Sequence, residues 1–219
     1  MTLNLLLNGT IPSPMLSKEF SGKPGYISLG EDSPFIKQIS TLSQYDLNEL
    51  IKQIHSDSRV TWSLSGDKES RKVLYAQNET ITREGRTAHV GIDINVPAGT
   101  VLYSPLDAEV IMIEYDAEIG SYGWFTVLKC NEGVEDFYLL FGHVAKDGLA
   151  PVGTKLKKGD AFAKIGDFHE NGNWFHHVHF QVITQRGFEE GWVNRGLCRP
   201  EQFSTIDELC PCPLPLIVY

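Results

Sequence analysis

The 219-residue chain holds seven histidines, and the neighbours of four of them suggest chemistry. In His89-Val90-Gly91-Ile92-Asp93 the residues around the polar pair run on into Ile94-Asn95-Val96, a composition that favours a strand over a helix. Side chains four apart on a strand share a face. An imidazole and a carboxylate would then enter one cleft, and both are zinc ligands. In Phe175-His176-His177-Val178-His179-Phe180-Gln181-Val182 the alternation again reads as a strand, with one polar face. His177 and His179 would share that face, about 7 Å apart. Two histidines so placed among Val and Phe are unusual for an apolar core; the plain alternative is a solvated face. His143 closes the run Leu140-Phe141-Gly142-His143. Alone it would read as a structural residue, and it gains weight from the other two sites.

These residues need a scaffold that is mainly β. Residues 45–55 form the clearest helix: Leu47, Leu50, Ile51 and Ile54 fall at i, i+3, i+4 and i+7, with Ser43 or Asp46 as its cap. His55 would end it, solvated or favoured by the helix dipole. From about residue 73 the pattern turns to β. Residues 108–115 read as one strand, and residues 124–130 and 137–143 as a hairpin across the polar loop 131–136. Pro97-Ala98-Gly99-Thr100 and Pro151-Val152-Gly153-Thr154 are similar turn entries to strands. Short strands at this spacing indicate a sandwich or barrel. The chain divides into an N-terminal extension with one helix packed on the core (1–75), a β domain carrying the motifs (76–190) and an extended tail rich in Pro and Cys (191–219).

The order H-x-x-x-D, G-H, H-x-H resembles that of the M23 zinc metallopeptidases, the lysostaphin or LytM-type endopeptidases. Flanking residues agree. Pro97-Ala98-Gly99-Thr100 and Ser104-Pro105-Leu106-Asp107-Ala108-Glu109-Val110 are similar to the family's P-x-G-T turn and the strand after it. Leu140–His143 is similar to its Y-G-H, and Val152-Gly153-Thr154, Lys158-Gly159-Asp160 and Ile165-Gly166 to its glycine-punctuated segment. The likeness covers about residues 84–184. It implies an antiparallel β-sandwich or open barrel of the LytM, duplicated-hybrid-motif type. It also implies Zn²⁺ held by His89, Asp93 and His179, with His143 and His177 as the catalytic pair. Three protein ligands leave zinc a fourth position for water, whose pKa falls to about 7. One imidazole could act as general base and the other stabilise the oxyanion, in either order. The activity implied is that of a zinc metallo-endopeptidase acting on peptidoglycan-derived or other small peptides, so the expected partner is a peptide or muropeptide substrate. The subgroup resembled is the non-secreted one.

Two departures stand out. The family's Ser-Thr-Gly-Pro run before H-x-H is replaced by Glu170-Asn171-Gly172-Asn173-Trp174-Phe175-His176, and Gln181 replaces a common glutamate. The first alters the cleft wall and hence specificity; Trp174 would line the cleft or stand as an exposed structural residue. Arg86, His169 and His176 read as peripheral.

Other classes fit less well. The net charge of −9 and the lack of a basic stripe argue against nucleic acid. No apolar run approaches the roughly 18 residues of a membrane span, so no membrane insertion is expected. The first residues, with no basic group before Lys18, do not form a signal peptide, which implies a protein that is cytoplasmic or exported by a non-classical route. Cys130, Cys198, Cys210 and Cys212 have irregular spacing and read as reduced thiols. The alternatives are a catalytically idle M23-like module that binds a partner, and a biotinyl- or lipoyl-type carrier domain, for which no hairpin-tip lysine stands in place. The oligomeric state is left open.

Overall fold

Segments rich in Val, Ile, Phe and Tyr fill the second half of the chain, and most strands lie there. The computed structural model describes residues 2–76, 78–118 and 120–218. In chain order the strands are β1 (Gly25–Tyr26), β2 (Ser63–Ser65), β3 (Ala88–His89), β4 (Ile92–Asn95), β5 (Val101–Tyr103) and β6 (Ala108–Asp116). They continue with β7 (Gly123–Asn131), β8 (Asp136–Val144), β9 (Lys155–Leu156), β10 (Ala161–Lys164), β11 (Val178–Thr184) and β12 (Leu197–Cys198). Eight form one sheet in the order β1-β2-β4-β11-β8-β7-β6-β9, while β10 pairs β5 and β12 pairs β3. Every pairing is antiparallel except that of β1 with β2. The large sheet ends at β1 and β9 and does not close into a barrel. The fold is mainly β, as the sequence implies.

Both faces of the large sheet are covered. Leu139 and Phe141 of β8 join a cluster with Leu102, Phe162 and the N-terminal Leu6 and Met15. Tyr138 and Leu140 point the other way, into a cluster with Val127, Trp192, Val193 and Ile206. Hence β8 is apolar almost throughout instead of alternating, the pattern of a strand buried on two sides. The chain after Gly191 supplies part of the second cover through short 3₁₀ turns, among them Trp192–Asn194 and Ile206–Glu208. Among the described residues, no helix is long and apolar enough to cross a membrane.

The long helix spans Gln44–Ser58, and Ser43 caps it by accepting from the Asp46 N–H (3.1 Å). His55 does not end this helix. Its Nε2 lies 2.8 Å from Ser63 Oγ, and burial lowers its pKa. Leu47 and Ile51 pack in a cluster with Ile27, Leu29, Trp174 and Phe175. Asn48 Oδ1 accepts from the His176 N–H (3.0 Å) and Gln44 Oε1 from the Phe175 N–H (3.3 Å). The helix therefore fixes the approach to the H-x-H motif.

Residues 89–95 do not form one strand. Gly91 adopts φ +108°, and the chain breaks there: His89 pairs with Leu197 on β12, whereas Asp93 pairs with Ser65 on β2 and His179 on β11. A Cβ at Gly91 would stand 2.6 Å from the Phe180 carbonyl oxygen. The residue that lets His89 and Asp93 approach one point from two sheets must therefore lack a side chain. Gly91→Ala is expected to lower stability by at least about 1–3 kcal/mol through backbone strain, read from the urea unfolding midpoint. An unchanged midpoint would contradict this account of the break.

Candidate metal centre

Strand register brings the motifs together. His179 on β11 faces Asp93 on β4 and Gly142 on β8, so the three motifs lie in one row across three neighbouring strands. All five chemistry-bearing residues, His89, Asp93, His143, His177 and His179, gather there, none more than 5% exposed. The His89 Nε2 and His179 Nδ1 atoms are 2.8 Å apart. Asp93 Oδ1 lies 3.1 Å from the first and 3.3 Å from the second. These three residues form a group that could hold a metal ion.

The outer hydrogen bonds fix which ring nitrogens carry protons. His89 Nδ1–H donates to the Gly66 carbonyl (2.9 Å). A carbonyl can only accept, so Nε2 of the neutral ring carries the lone pair. The Gln181 amide nitrogen is directed at Trp192 O (3.4 Å) and Cys210 Sγ (3.3 Å). Its Oε1 thus accepts from His179 Nε2–H (3.1 Å), which leaves the lone pair on Nδ1. Two imidazole lone pairs and one carboxylate oxygen therefore face a common point with no proton assigned between them. Burial works to raise the Asp93 pKa, but the Arg71 guanidinium and the imidazoles outweigh it and hold the carboxyl well below its usual range. Burial, aided by Arg71, lowers the pKa of His89.

His143 occupies a bulge. Trp124 pairs with Val144 and Phe125 with Gly142, leaving His143 as the extra residue, at φ +64°. Such a bulge turns a side chain out of strict alternation, and here the His143 N–H is held by the Tyr122 carbonyl (2.9 Å). Its Nδ1–H donates to the Asn171 carbonyl (2.8 Å). That carbonyl is set in place by the Asn171 side chain, which donates to Trp174 O (2.9 Å) and accepts from the Trp174 N–H (2.9 Å). The loop can lie this close because residue 123 is glycine: a Cβ there would be 2.2 Å from Glu170 O. His177 Nδ1–H donates to the Phe175 carbonyl (2.8 Å), and its Nε2 is 3.7 Å from Asp93 Oδ1. The two rings are 4.4 Å apart between centroids. Burial pushes the pKa of His143 well down and that of His177 to about 4, so both are neutral near pH 7.

A pocket opens above the cluster, walled by Leu74, Tyr75, Ile81, Arg86 and Trp174. Trp174 is buried and lines this pocket, with Nε1–H donating to Ser121 O (3.1 Å). Arg86 reaches the wall while paired with Glu84 (2.6 Å). His176 binds Asp167 (2.9 Å) and His169 is exposed beside Glu170; both lie outside the cluster. All four cysteines are free thiols. Sequence reasoning missed Arg71, which is 2% exposed and binds Asp93 Oδ2 (2.6 Å) and Glu69 Oε2 (2.8 Å). No spacing links it to the motifs. The carbonyls of Gly66, Asn171 and Phe175 were equally invisible, because a backbone acceptor has no residue signature.

Fold and site define a mainly β domain with a buried His–Asp–His group and two further imidazoles beside it. Residues 87–190 match the family model of Peptidase family M23. Among solved structures, the chain is similar to a zinc-containing peptidase from Vibrio cholerae (25% identity, TM-score 0.38, covering 45% of this chain and 28% of that one). It is also similar to LytU (29%, 0.37, 56% and 74%) and to the catalytic domain of lysostaphin from Staphylococcus simulans (21%, 0.40, 53% and 79%). The likeness spans less than a third of the length of the Vibrio chain. No curated protein sequence matches.

Asn171→Ala would leave the buried Trp174 N–H without its acceptor and free the carbonyl that holds His143. A loss of about 1–3 kcal/mol is expected, measured by urea unfolding. Wild-type stability in this variant would show that the loop is held by other contacts.

Proposed function

We propose that this chain is a zinc-dependent peptidase that hydrolyses an amide bond in a peptidoglycan-derived or other small peptide, its metal held by His89, Asp93 and His179. One observation carries the reading: three buried lone-pair donors converge on a single point. Without a cation they repel one another; with one they become its ligands. The edges of a tetrahedron with zinc–ligand bonds of about 2.0–2.1 Å measure about 3.3–3.4 Å. Of the donor separations, 3.1 and 3.3 Å lie close to that value, and the His89–His179 separation of 2.8 Å is shorter. The donor set, two imidazoles and a carboxylate, is that of catalytic zinc sites, which keep a position open.

Bound zinc would supply an acidified water and a Lewis acid for the scissile carbonyl. The chain's own groups do the rest. His143 and His177, each with Nδ1 fixed on a carbonyl, keep Nε2 free to accept a proton from the attacking water. The imidazolium so formed donates to the developing oxyanion and then returns the proton to the leaving amine. Either ring meets this requirement. The depth of the cluster under Tyr75, Ile81 and Trp174 favours a slender peptide over a folded protein. Against the alternative of an idle module stands the retention of all five residues in one cluster.

Elemental analysis of protein refolded with zinc should find about one zinc per chain, and His179→Ala should bind far less. Wild type that takes up no zinc would overturn the reading. His143→Ala should keep its zinc while turnover of a peptide and muropeptide panel, scored by mass spectrometry, falls by about 10²–10⁴-fold. Undiminished turnover would remove His143 from the catalytic pair.

A further inference from the structure

The two oxygens of Asp93 face different partners. Oδ1 points to the His89 and His179 donors, while Oδ2 accepts from Arg71 Nη1 at 2.6 Å. Arg71 is held in turn, because its Nε–H donates to Glu69 Oε2 (2.8 Å). Glu69 is itself anchored, its Oε1 accepting from the Leu29 N–H (2.9 Å) and the Ser28 hydroxyl (2.8 Å). A line of hydrogen bonds thus runs from residues 28–29 through Glu69 and Arg71 to the carboxylate. None of these supporting residues lies within the family-matched segment 87–190. The same stretch also provides the Gly66 carbonyl that orients His89. Two of the three donors are therefore aimed by residues 66–71.

We propose that Arg71 is a positioning residue of the metal centre: by occupying Oδ2 it holds Asp93 as a one-oxygen ligand. This rests on the zinc reading above. A carboxylate free to rotate can offer both oxygens to one cation, which raises the coordination number and fills the position that water needs. The guanidinium prevents this. Its rigid fork reaches Asp93 and Glu69 at once, which a lysine ammonium, a single point donor, cannot do with the same geometry. A buried ion pair is by itself weak evidence of any role. Here the pair separates the two oxygens of a carboxylate whose other oxygen faces two imidazole lone pairs.

The test uses the full chain, with zinc and with cobalt(II) as a spectroscopic substitute. The wild-type protein should bind one metal and show the intense visible bands of four-coordinate cobalt(II). Arg71→Lys and the double variant Glu69→Gln/Arg71→Met, which removes the buried pair together, should bind zinc about 10–100-fold more weakly in chelator competition. Their cobalt bands should weaken toward a five-coordinate spectrum. A purely structural arginine would shift the melting temperature and leave zinc affinity and cobalt spectrum unchanged in folded protein; that result overturns the proposal and spares the zinc reading. Wild type that binds no metal overturns both. A five-coordinate spectrum of the wild type overturns the one-oxygen role even if neither variant folds.

Discussion

Asp93 is fully buried, and most of the architecture can be read as the response to that carboxylate. Removing a charge from water costs several kcal/mol even after the surroundings relax. The nearest compensation is Arg71, which Asp93 shares with Glu69, so two carboxylates are set against one guanidinium. The imidazoles of His89 and His179 turn lone pairs toward the same point and cannot neutralise the remainder. A cluster with excess negative charge and three convergent donors has the electrostatics of a cation site. The proposed zinc follows from that imbalance as much as from the histidine motifs.

The fold converts distant sequence into this geometry through register. Asp93, His179 and Gly142 align across β4, β11 and β8, and a one-residue slip would send the side chains to the opposite face. Two local irregularities then refine the row. The break at Gly91 brings His89 in from a separate small sheet, and the bulge at His143 redirects its ring. The covers on both sheet faces keep these strands from shifting. The helix Gln44–Ser58 and the loop containing Asn171 hold the carbonyls that orient His177 and His143.

Much of this arrangement is legible in the amino-acid sequence. The spacing of His89 and Asp93 and the pair His177 and His179 select the residues that the structure gathers. The 3.6-residue period finds the long helix, and two apolar runs flanking a polar loop find the hairpin of β7 and β8. What stays hidden has physical causes. Arg71 acts on Asp93 from 22 positions earlier in the chain, and nothing in its local sequence separates a buried arginine from a solvated one. Gly91 sits among β-forming neighbours, so its turn depends on the close approach of Phe180 and not on local preference. Tyr138 and Leu140 look like one side of a continuous apolar run because the cover formed after Gly191 cannot be anticipated from the strand itself.

The central claim is that His89, Asp93 and His179 enclose one zinc ion. Anomalous diffraction from crystals of the zinc-loaded protein, recorded on both sides of the zinc absorption edge, addresses it directly. The account predicts a single strong difference peak within bonding distance of His89 Nε2, Asp93 Oδ1 and His179 Nδ1. A protein whose only peak lay elsewhere, for instance at the thiols of Cys210 and Cys212, would contradict it.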